Sequence, residues 1–337
     1  MKTVTVCPST LQDGYTTYSP KALRQLFKNK KVLHQLDFNF GDAKKGQSVA
    51  LIENRTRISI SGVQEKFSMK LEKNKLVLTE KNGEYILKPI PTDLENVENV
   101  PANEHLTMQI AAQVYKLDVA KNGLIFFDDN ELAYITKRFD VLENGKRCLK
   151  EDFASLLQTT SETGNKNYKY EGSYLNMAKA LDKYIGASIV AKENLFKLVV
   201  FNYLFSNGDA HLKNFSVVDY LQDGLYQLAP AYDLLCTRLH INDADFALED
   251  RLYLGDYDHE SFTYYGFHAY DDFYDFGIML DLVPKRVTQF LQIFISNKNE
   301  VEKLVAKSFL DEGLKPIYLK YYYDKLRRLN NSLSQKI

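Results

Sequence analysis

The stretch Phe201–Ser216, FNYLFSNGDAHLKNFS, constrains this chain most. An apolar run from Leu195 to Phe205 breaks abruptly into a polar turn holding Asp209, His211, Lys213 and Asn214. The chain then re-enters an apolar, strand-like segment at Phe215–Val218. Apolar runs on both sides anchor the turn, and a tight loop of this length can present a carboxylate and an amide toward one point. The spacing alone is weak in a chain rich in Asp and Asn. A second acidic turn follows at Ala231-Tyr232-Asp233-Leu234-Leu235 and strengthens it.

With 337 residues the chain is too long for one small core and suits two lobes or domains. A formal net charge of -1 offers no global basic field for nucleic acid or an anionic membrane. The 3 cysteines, Cys7, Cys148 and Cys236, are scattered and share no metal-ligand spacing. A disulfide framework is not expected, and a reducing, cytoplasmic setting fits best. The N-terminus has no long apolar core of a signal peptide, and no stretch approaches the ~18 apolar residues of a membrane span.

Tyr18–Lys31 reads as a short helix opened by Ser19-Pro20, with Leu23, Leu26 and Phe27 on one face. Lys28–Lys31 reads as its solvated basic end, and Asp37–Gly46 as a linker. From Ile58 to Ile90 the pattern changes to short strands, with Lys73-Asn74 and Lys81-Asn82-Gly83 as hairpin connections. Pro101 precedes a predicted helix over Ala102–Tyr115, and strands are predicted at Gly123–Phe127 and Glu131–Lys137. Beyond Asp152 the chain reads as helical: Phe153–Leu157, Tyr174–Tyr184, Lys192–Phe205, Val287–Ser296 and Pro316–Leu329. Thr159–Gly172 reads as a polar, mobile connection. The expected fold is α+β and two-lobed: a β-rich lobe over residues 1–140, then an all-helical lobe over 141–337 with the polar turn.

A site for phosphoryl transfer needs a turn over the phosphates, a lysine on them, and a helix carboxylate to hold that lysine. It also needs a base and oxygen ligands for magnesium. Each part has a candidate, in that order. Ser59-Ile60-Ser61-Gly62-Val63-Gln64-Glu65-Lys66 joins two strand-like runs, and Gly62 permits close backbone approach. A serine-rich hairpin is the plainer reading of that segment. Lys88 lies in Tyr85–Pro89, unusual for a buried strand unless paired, though an edge lysine beside a proline would look the same. Glu104 on the next helix is its natural partner, or simply a first-turn carboxylate. Thr136–Asp140 could meet adenine with strand-end backbone, or merely connect two elements. Asp209 and Asn214 have the Asp-x-x-x-x-Asn spacing of a kinase catalytic loop. Asp209 could orient or deprotonate a hydroxyl, and Asn214 and Asp233 could hold magnesium through oxygen. His211 could brace the loop or touch phosphate. Asp233 alone could be a helix cap.

Together these segments resemble the HipA-type serine/threonine kinases, the toxins of bacterial toxin–antitoxin systems. The residues that carry the likeness are SISGVQEKFSMKL (59–71), YILKP (85–89), NEH (103–105), ITKRFD (135–140), KYEG (169–172), NGDAHLKNFS (207–216) and AYDLL (231–235). The resemblance implies a two-lobed kinase-like fold and use of ATP and Mg2+. It implies that Ser61, Gly62, Val63, Gln64, Glu65 and Lys66 cover the phosphates and that Lys88, paired with Glu104, contacts ATP. Lys137, Arg138 and Phe139 would line the adenine hinge, and His211, Lys213, Asn214 and Tyr232 would complete the ATP site. Asp209 would be the base, Asn214 and Asp233 the metal ligands, and Ser59 or Ser61 the site of inhibitory autophosphorylation. Implied partners are a protein substrate of the aminoacyl-tRNA synthetase kind and a helix-turn-helix antitoxin, with DNA met only through that antitoxin.

Longer members carry a small subdomain ahead of the phosphate loop, whereas here 58 residues precede Ser59. The chain is thus similar to the short, split-type members, in which a separate small protein stands for that subdomain. A different class of function would be a nucleotide-sensing binding module inside an antitoxin–operator complex, phosphorylating nothing. A metallophosphoesterase-like site is a remote third reading, since only one histidine falls in the cluster and the oxygen-rich set suits magnesium better than zinc.

Overall fold

The computed structural model describes residues 2–41, 64–92, 94–159, 167–255 and 257–334. Ser59, Ser61, Gly62 and Val63, with the strand positions Ile58 and Ile60, lie outside the described residues.

Helix α1 spans Pro20–Phe27. The Ser19 hydroxyl caps it, accepting from the Ala22 amide at 3.2 Å, and Lys28 ends it in the left-handed region at φ 52. The helix therefore stops short of the predicted Lys31, and Lys28 pairs with Glu84 at 2.7 Å. Its apolar face covers a five-stranded antiparallel sheet built from β1 (Phe67–Glu72), β2 (Lys75–Leu78), β3 (Tyr85–Lys88), β4 (Asn122–Phe126) and β5 (Leu132–Lys137). The strand order is β2-β1-β3-β5-β4. Lys73-Asn74 closes the β1–β2 hairpin as predicted. Lys81-Asn82-Gly83 does not close a hairpin, because β3 pairs with β1 rather than β2. This connection wraps over the end of β1, where a Cβ on Gly83 would sit 1.9 Å from the Ser68 hydroxyl. A side chain at 83 would force the Ser68 hydroxyl into another rotamer. Asp37–Gly41 is not a free linker either: Phe38 packs on Phe127 and Phe40 on Phe67, while 42–46 lies outside the described residues.

Side chains alternate across a strand, and this decides where the chemistry sits. Tyr85 and Leu87 of β3, with Ala133 and Ile135 of β5, point into the core beneath α1. Lys88 and Tyr134, opposite each other in the register, take the other face. That face is covered by α2, Val100–Gln113, which starts before Pro101 and is buried almost all round.

The larger core forms around α2 and the helices that follow. They are α3 (Phe153–Leu156), α4 (Tyr174–Tyr184), α5 (Ser188–Leu204), α6 (Glu260–Tyr265), α7 (Tyr270–Met279), α8 (Pro284–Ser296), α9 (Lys298–Lys307) and α10 (Lys315–Leu329). Aromatic stacks knit them, such as Tyr115 on Phe294 at 4.7 Å and Phe205 on Tyr322 at 5.1 Å. The α+β architecture expected from sequence is present, but the second part is not all-helical. A three-stranded sheet, β6 (Leu149–Asp152), β7 (Ser216–Asp219) and β8 (Gln227–Leu228), lies in it. The strand-like Phe215–Val218 is β7, but β8 has two residues and β6 reads as Leu-Lys-Glu-Asp, so nothing marked its two partners. No helix among the described residues is long and apolar enough to cross a membrane.

Candidate active site

Four of the predicted residues converge where β3, α2 and the Ala231–Leu235 turn meet. The buried Lys88 ammonium lies 2.6 Å from Glu104 Oε1, is ion-paired with Asp233 Oδ1, and sits 5.3 Å from the Tyr134 ring centre. Lys66, exposed at the start of β1, stands 3.9 Å from Asp233 Oδ2. Burial alone would push the Lys88 ammonium down, but the charges of Asp233 and Glu104 reverse that and hold it above its ordinary value. Burial would raise Asp233, yet Lys88 and Lys66 hold its carboxyl well below the usual range. Glu104 is pushed up to about 7 by burial, partly offset by Lys88 and reinforced by Asp233.

The turn that carries Asp233 is tied down at both ends. The Ala231 amide donates to Asp118 O and the Ala120 amide to Ala231 O, each at 2.9 Å. Asn103, one residue before Glu104, clamps the other side: its Nδ2 donates to Cys236 O at 2.9 Å and its Oδ1 accepts from the Cys236 amide at 3.0 Å. One helix therefore positions both Glu104 and the Asp233 turn. Asp233 itself has φ 56, in the left-handed region that Asp enters more readily than most residues.

The polar turn after α5 supplies the second half. Asp209 is buried, and its Oδ1 accepts from the Tyr170 hydroxyl at 3.2 Å. His211 is buried against the edge of the Tyr170 ring, with no hydrogen-bond partner on either ring nitrogen. Burial, helped by Lys169, pushes His211 down to about 3, so the ring is neutral. Asn214 closes a short 3-10 turn and its amide donates to His211 O at 2.9 Å. Lys213 reaches the Tyr168 hydroxyl at 3.3 Å, and its carbonyl accepts from the Tyr232 hydroxyl at 2.8 Å. The turn is braced from behind by Thr237, whose hydroxyl accepts from the Gly208 amide at 2.8 Å and donates to Ser206 O at 2.9 Å. Gly208 is required there, since a Cβ would lie 2.4 Å from both Ala244 O and Asp243 Oδ2.

The hinge residues divide. The ring of Phe139 lies 5.5 Å from that of Tyr232, and the Lys150 ammonium sits 5.5 Å from the Tyr232 ring. Lys137 and Arg138 line a small depression with Lys28, Glu84 and Glu143, and the Arg138 guanidinium is paired with Asp140 at 2.5 Å. Their amides are committed within the fold, Lys137 to Lys121 O at 2.7 Å and Arg138 to Glu84 O at 2.8 Å. Gln64 is buried, donating to Pro89 O at 2.8 Å beside Lys88, while Glu65 is exposed.

Sequence reasoning missed Tyr170, Tyr174, Thr237 and Lys150, and gave Asn103 no role. Tyr170 and Asn103 both lie in the quoted segments KYEG and NEH, so position pointed at them without showing their partners. The described end of Thr159–Gly172 is correspondingly not a loose connection: Tyr170 is buried over the polar turn, while 160–166 lies outside the described residues.

The sequence profile of the HipA-like C-terminal domain matches residues 58–297, and the chain belongs to that family. It is 27% identical over 341 aligned positions to a Haemophilus influenzae protein named "Putative kinase", covering 96% of this chain and 95% of that one. It is 24% identical over 204 positions to the serine/threonine-protein kinase toxin HipA of Shewanella oneidensis, covering 56% of this chain and 45% of that protein. The fold matches the Shewanella oneidensis HipA structure, solved with HipB and operator DNA, at a TM-score of 0.62 and 19% identity. That match covers 84% of this chain and 66% of the HipA chain. The fold is therefore the two-lobed, kinase-like one, and the family and its relatives carry a kinase-like function for which ATP is the general substrate.

Proposed function

We propose that this chain is an ATP- and magnesium-dependent protein serine/threonine kinase. The observation that carries the reading is the buried Lys88–Glu104–Asp233 network beside the Asp209–Asn214 turn. A lysine held charged by two carboxylates is suited to a polyphosphate, which it can meet without losing its helix partner. The donor set fits magnesium: Asn214 and Asp233 offer oxygen, and Asp233 is kept ionised by the two lysines. When bound there, that ion would neutralise charge on the phosphates. Asp209 accepts the proton of a serine or threonine hydroxyl as its oxygen bonds the γ-phosphorus. The bond from that phosphorus to the β–γ bridging oxygen breaks, and the electron pair leaves with ADP. Phe139 and Tyr232 are the aromatic surface available to the base.

The likeness to HipA extends the proposal. The chain acts as a toxin on a protein such as an aminoacyl-tRNA synthetase and is held by a helix-turn-helix antitoxin. The chain silences itself by phosphorylation at Ser59 or Ser61. The test is incubation with radiolabelled Mg-ATP and intact-mass measurement. The wild-type chain is expected to gain about 80 Da per phosphate and Asp209→Ala to lose several orders of magnitude in rate. Labelling of Asp209→Ala at the wild-type rate would end the assignment.

A further inference from the structure

The segment KYEG and the start of α4 lie directly over the polar turn, and three tyrosines from it hold three successive parts of that turn. Tyr168 takes the Lys213 ammonium at 3.3 Å, Tyr170 donates to Asp209 Oδ1 at 3.2 Å, and Tyr174 donates to Ala210 O at 2.9 Å. The segment is itself pinned from behind. The amides of Glu249 and Asp250 donate to Tyr170 O and Gly172 O at 2.9 and 3.1 Å, and the Tyr174 amide donates to Arg251 O at 3.0 Å. Tyr174 is also fixed at the first position of α4, behind a Ser173–Asn176 capping box.

The three bonds differ chemically. Tyr174 meets a neutral carbonyl and can only hold the backbone. Tyr170 meets a carboxylate, and a hydrogen bond donated to a carboxylate favours its ionised form as well as fixing its rotamer. The Tyr170 ring is buried with its edge toward His211, 5.3 Å between centres, so the hydroxyl cannot swing away without unpacking. Among the described residues, Tyr170 and Tyr174 face this carboxylate from the overlying segment and His211 from its own turn, its Nε2 3.9 Å from Asp209 Oδ1. Lys169 and Asp233 stand within electrostatic reach of His211.

We propose that Tyr170 is a positioning residue for the base, holding Asp209 ionised and in one orientation for receipt of the acceptor proton. This rests on the reading of Asp209 as the base. A proton acceptor must stay ionised down to the lowest working pH and must point one way. A fixed phenol contributes to both, which a loop carbonyl contact does not.

The experiment measures ADP release from Mg-ATP by the full chain across pH for wild type, Tyr170→Phe, Tyr174→Phe and Asp209→Ala. Tyr170→Phe keeps the ring packing and is expected to lower kcat about ten- to hundredfold, the size of one hydrogen bond to a charged group. KM for ATP should hold, and the acid limb of kcat should move up by about one pH unit. Tyr174→Phe should change kcat without moving that limb. A fluorotyrosine at position 170, a stronger donor in the same shape, should move the limb downward and needs no change in packing. An acid limb that stays fixed in Tyr170→Phe, or moves equally in Tyr174→Phe, overturns the inference while an inactive Asp209→Ala keeps the base assignment. Wild-type turnover in Asp209→Ala, or no turnover in any form, overturns both.

Discussion

Lys88 and Lys325 are both buried and both paired with carboxylates, yet their ammonium groups are pushed in opposite directions. Lys88 faces two carboxylates, Glu104 and Asp233, and is held above its ordinary value. Lys325, on α10, pairs with Asp245, but Asp245 is shared with Arg328 at 3.1 Å and Arg238 at 3.5 Å. Lys325 also rests 4.3 Å from the Tyr203 ring centre. Burial lowers Lys325 to about 8, and one divided carboxylate does not repay it. Burial depth therefore says little about what a charged group does, while the local balance of charge says most of it. A lysine with carboxylates to spare is poised to take a further anionic partner. A lysine among surplus cations is a packing element.

Lys88→Met tests the first half and should have the largest effect. It strands Glu104 and Asp233 beside one another, and breaking a buried pair in this way costs about 3–5 kcal/mol. On the proposed function it also lowers ADP release by a hundredfold or more, as loss of a preorganised charge does (~10²–10³). Adding Glu104→Gln should return part of the stability in urea unfolding and none of the activity. If Lys88→Met unfolds at the wild-type midpoint, the network is not what holds β3 to α2.

Acid sharpens the same contrast. Asp233 stays ionised far below neutrality. Glu104, raised to about 7, takes up a proton in the folded state first, which favours folding as pH falls. The Lys88 network is therefore not the first thing that falling pH destabilises. Histidines are. His105, next to Glu104 on α2, is buried with Nε2 on Ser9 O at 3.1 Å and is lowered by burial to about 4. His211 is lowered to about 3, and His240 is lowered too. Their folded values lie below the unfolded one, so the folded state is favoured above about pH 6.5 and loses that advantage as pH falls toward 4. Each histidine contributes at most about 1.4 kcal/mol per pH unit to this slope. His105→Gln keeps a donor for Ser9 but cannot titrate, and the measured slope of unfolding free energy between pH 6 and 4 should flatten by one proton. An unchanged slope would place the acid sensitivity elsewhere.

Legibility followed chain distance. Lys88, Glu104, Asp209, Asn214 and Asp233 each sat in a local context that marked them: a lysine in a strand, a carboxylate opening a helix, acids in turns between apolar runs. The meeting of Lys88 with Glu104 and Asp233 followed once strand alternation placed Lys88 on the α2 face. What could not be read were contacts between residues far apart with no pattern of their own. Tyr170 meets Asp209 and Asn103 meets Cys236 across gaps that periodicity does not bridge. The three-stranded sheet escaped because β8 has two residues and β6 no apolar alternation. Helices α6 and α7 escaped because aromatic and acidic residues crowd their sequences, leaving no clear stripe, whereas the short stripe Val301, Leu304 and Val305 of α9 was there to be read and was missed.

The smallest effect is expected at Lys325, and its sign decides the comparison. The folded state prefers the neutral amine more than the unfolded chain does, so charging it from pH 10.5 down to 8 costs folding free energy. Lys325→Met removes that cost and leaves Asp245 still paired with Arg328 at 3.1 Å, so no buried carboxylate is stranded. Stability at pH 7 should stay within about 1 kcal/mol of wild type or rise, as when a buried ion gives way to a well-packed apolar residue. The rise in wild-type stability between pH 8 and 10 should vanish in the variant. A loss at pH 7 as large as that of Lys88→Met would mean that Asp245 holds Lys325 as firmly as two carboxylates hold Lys88. Charge balance would then not be what separates the two lysines.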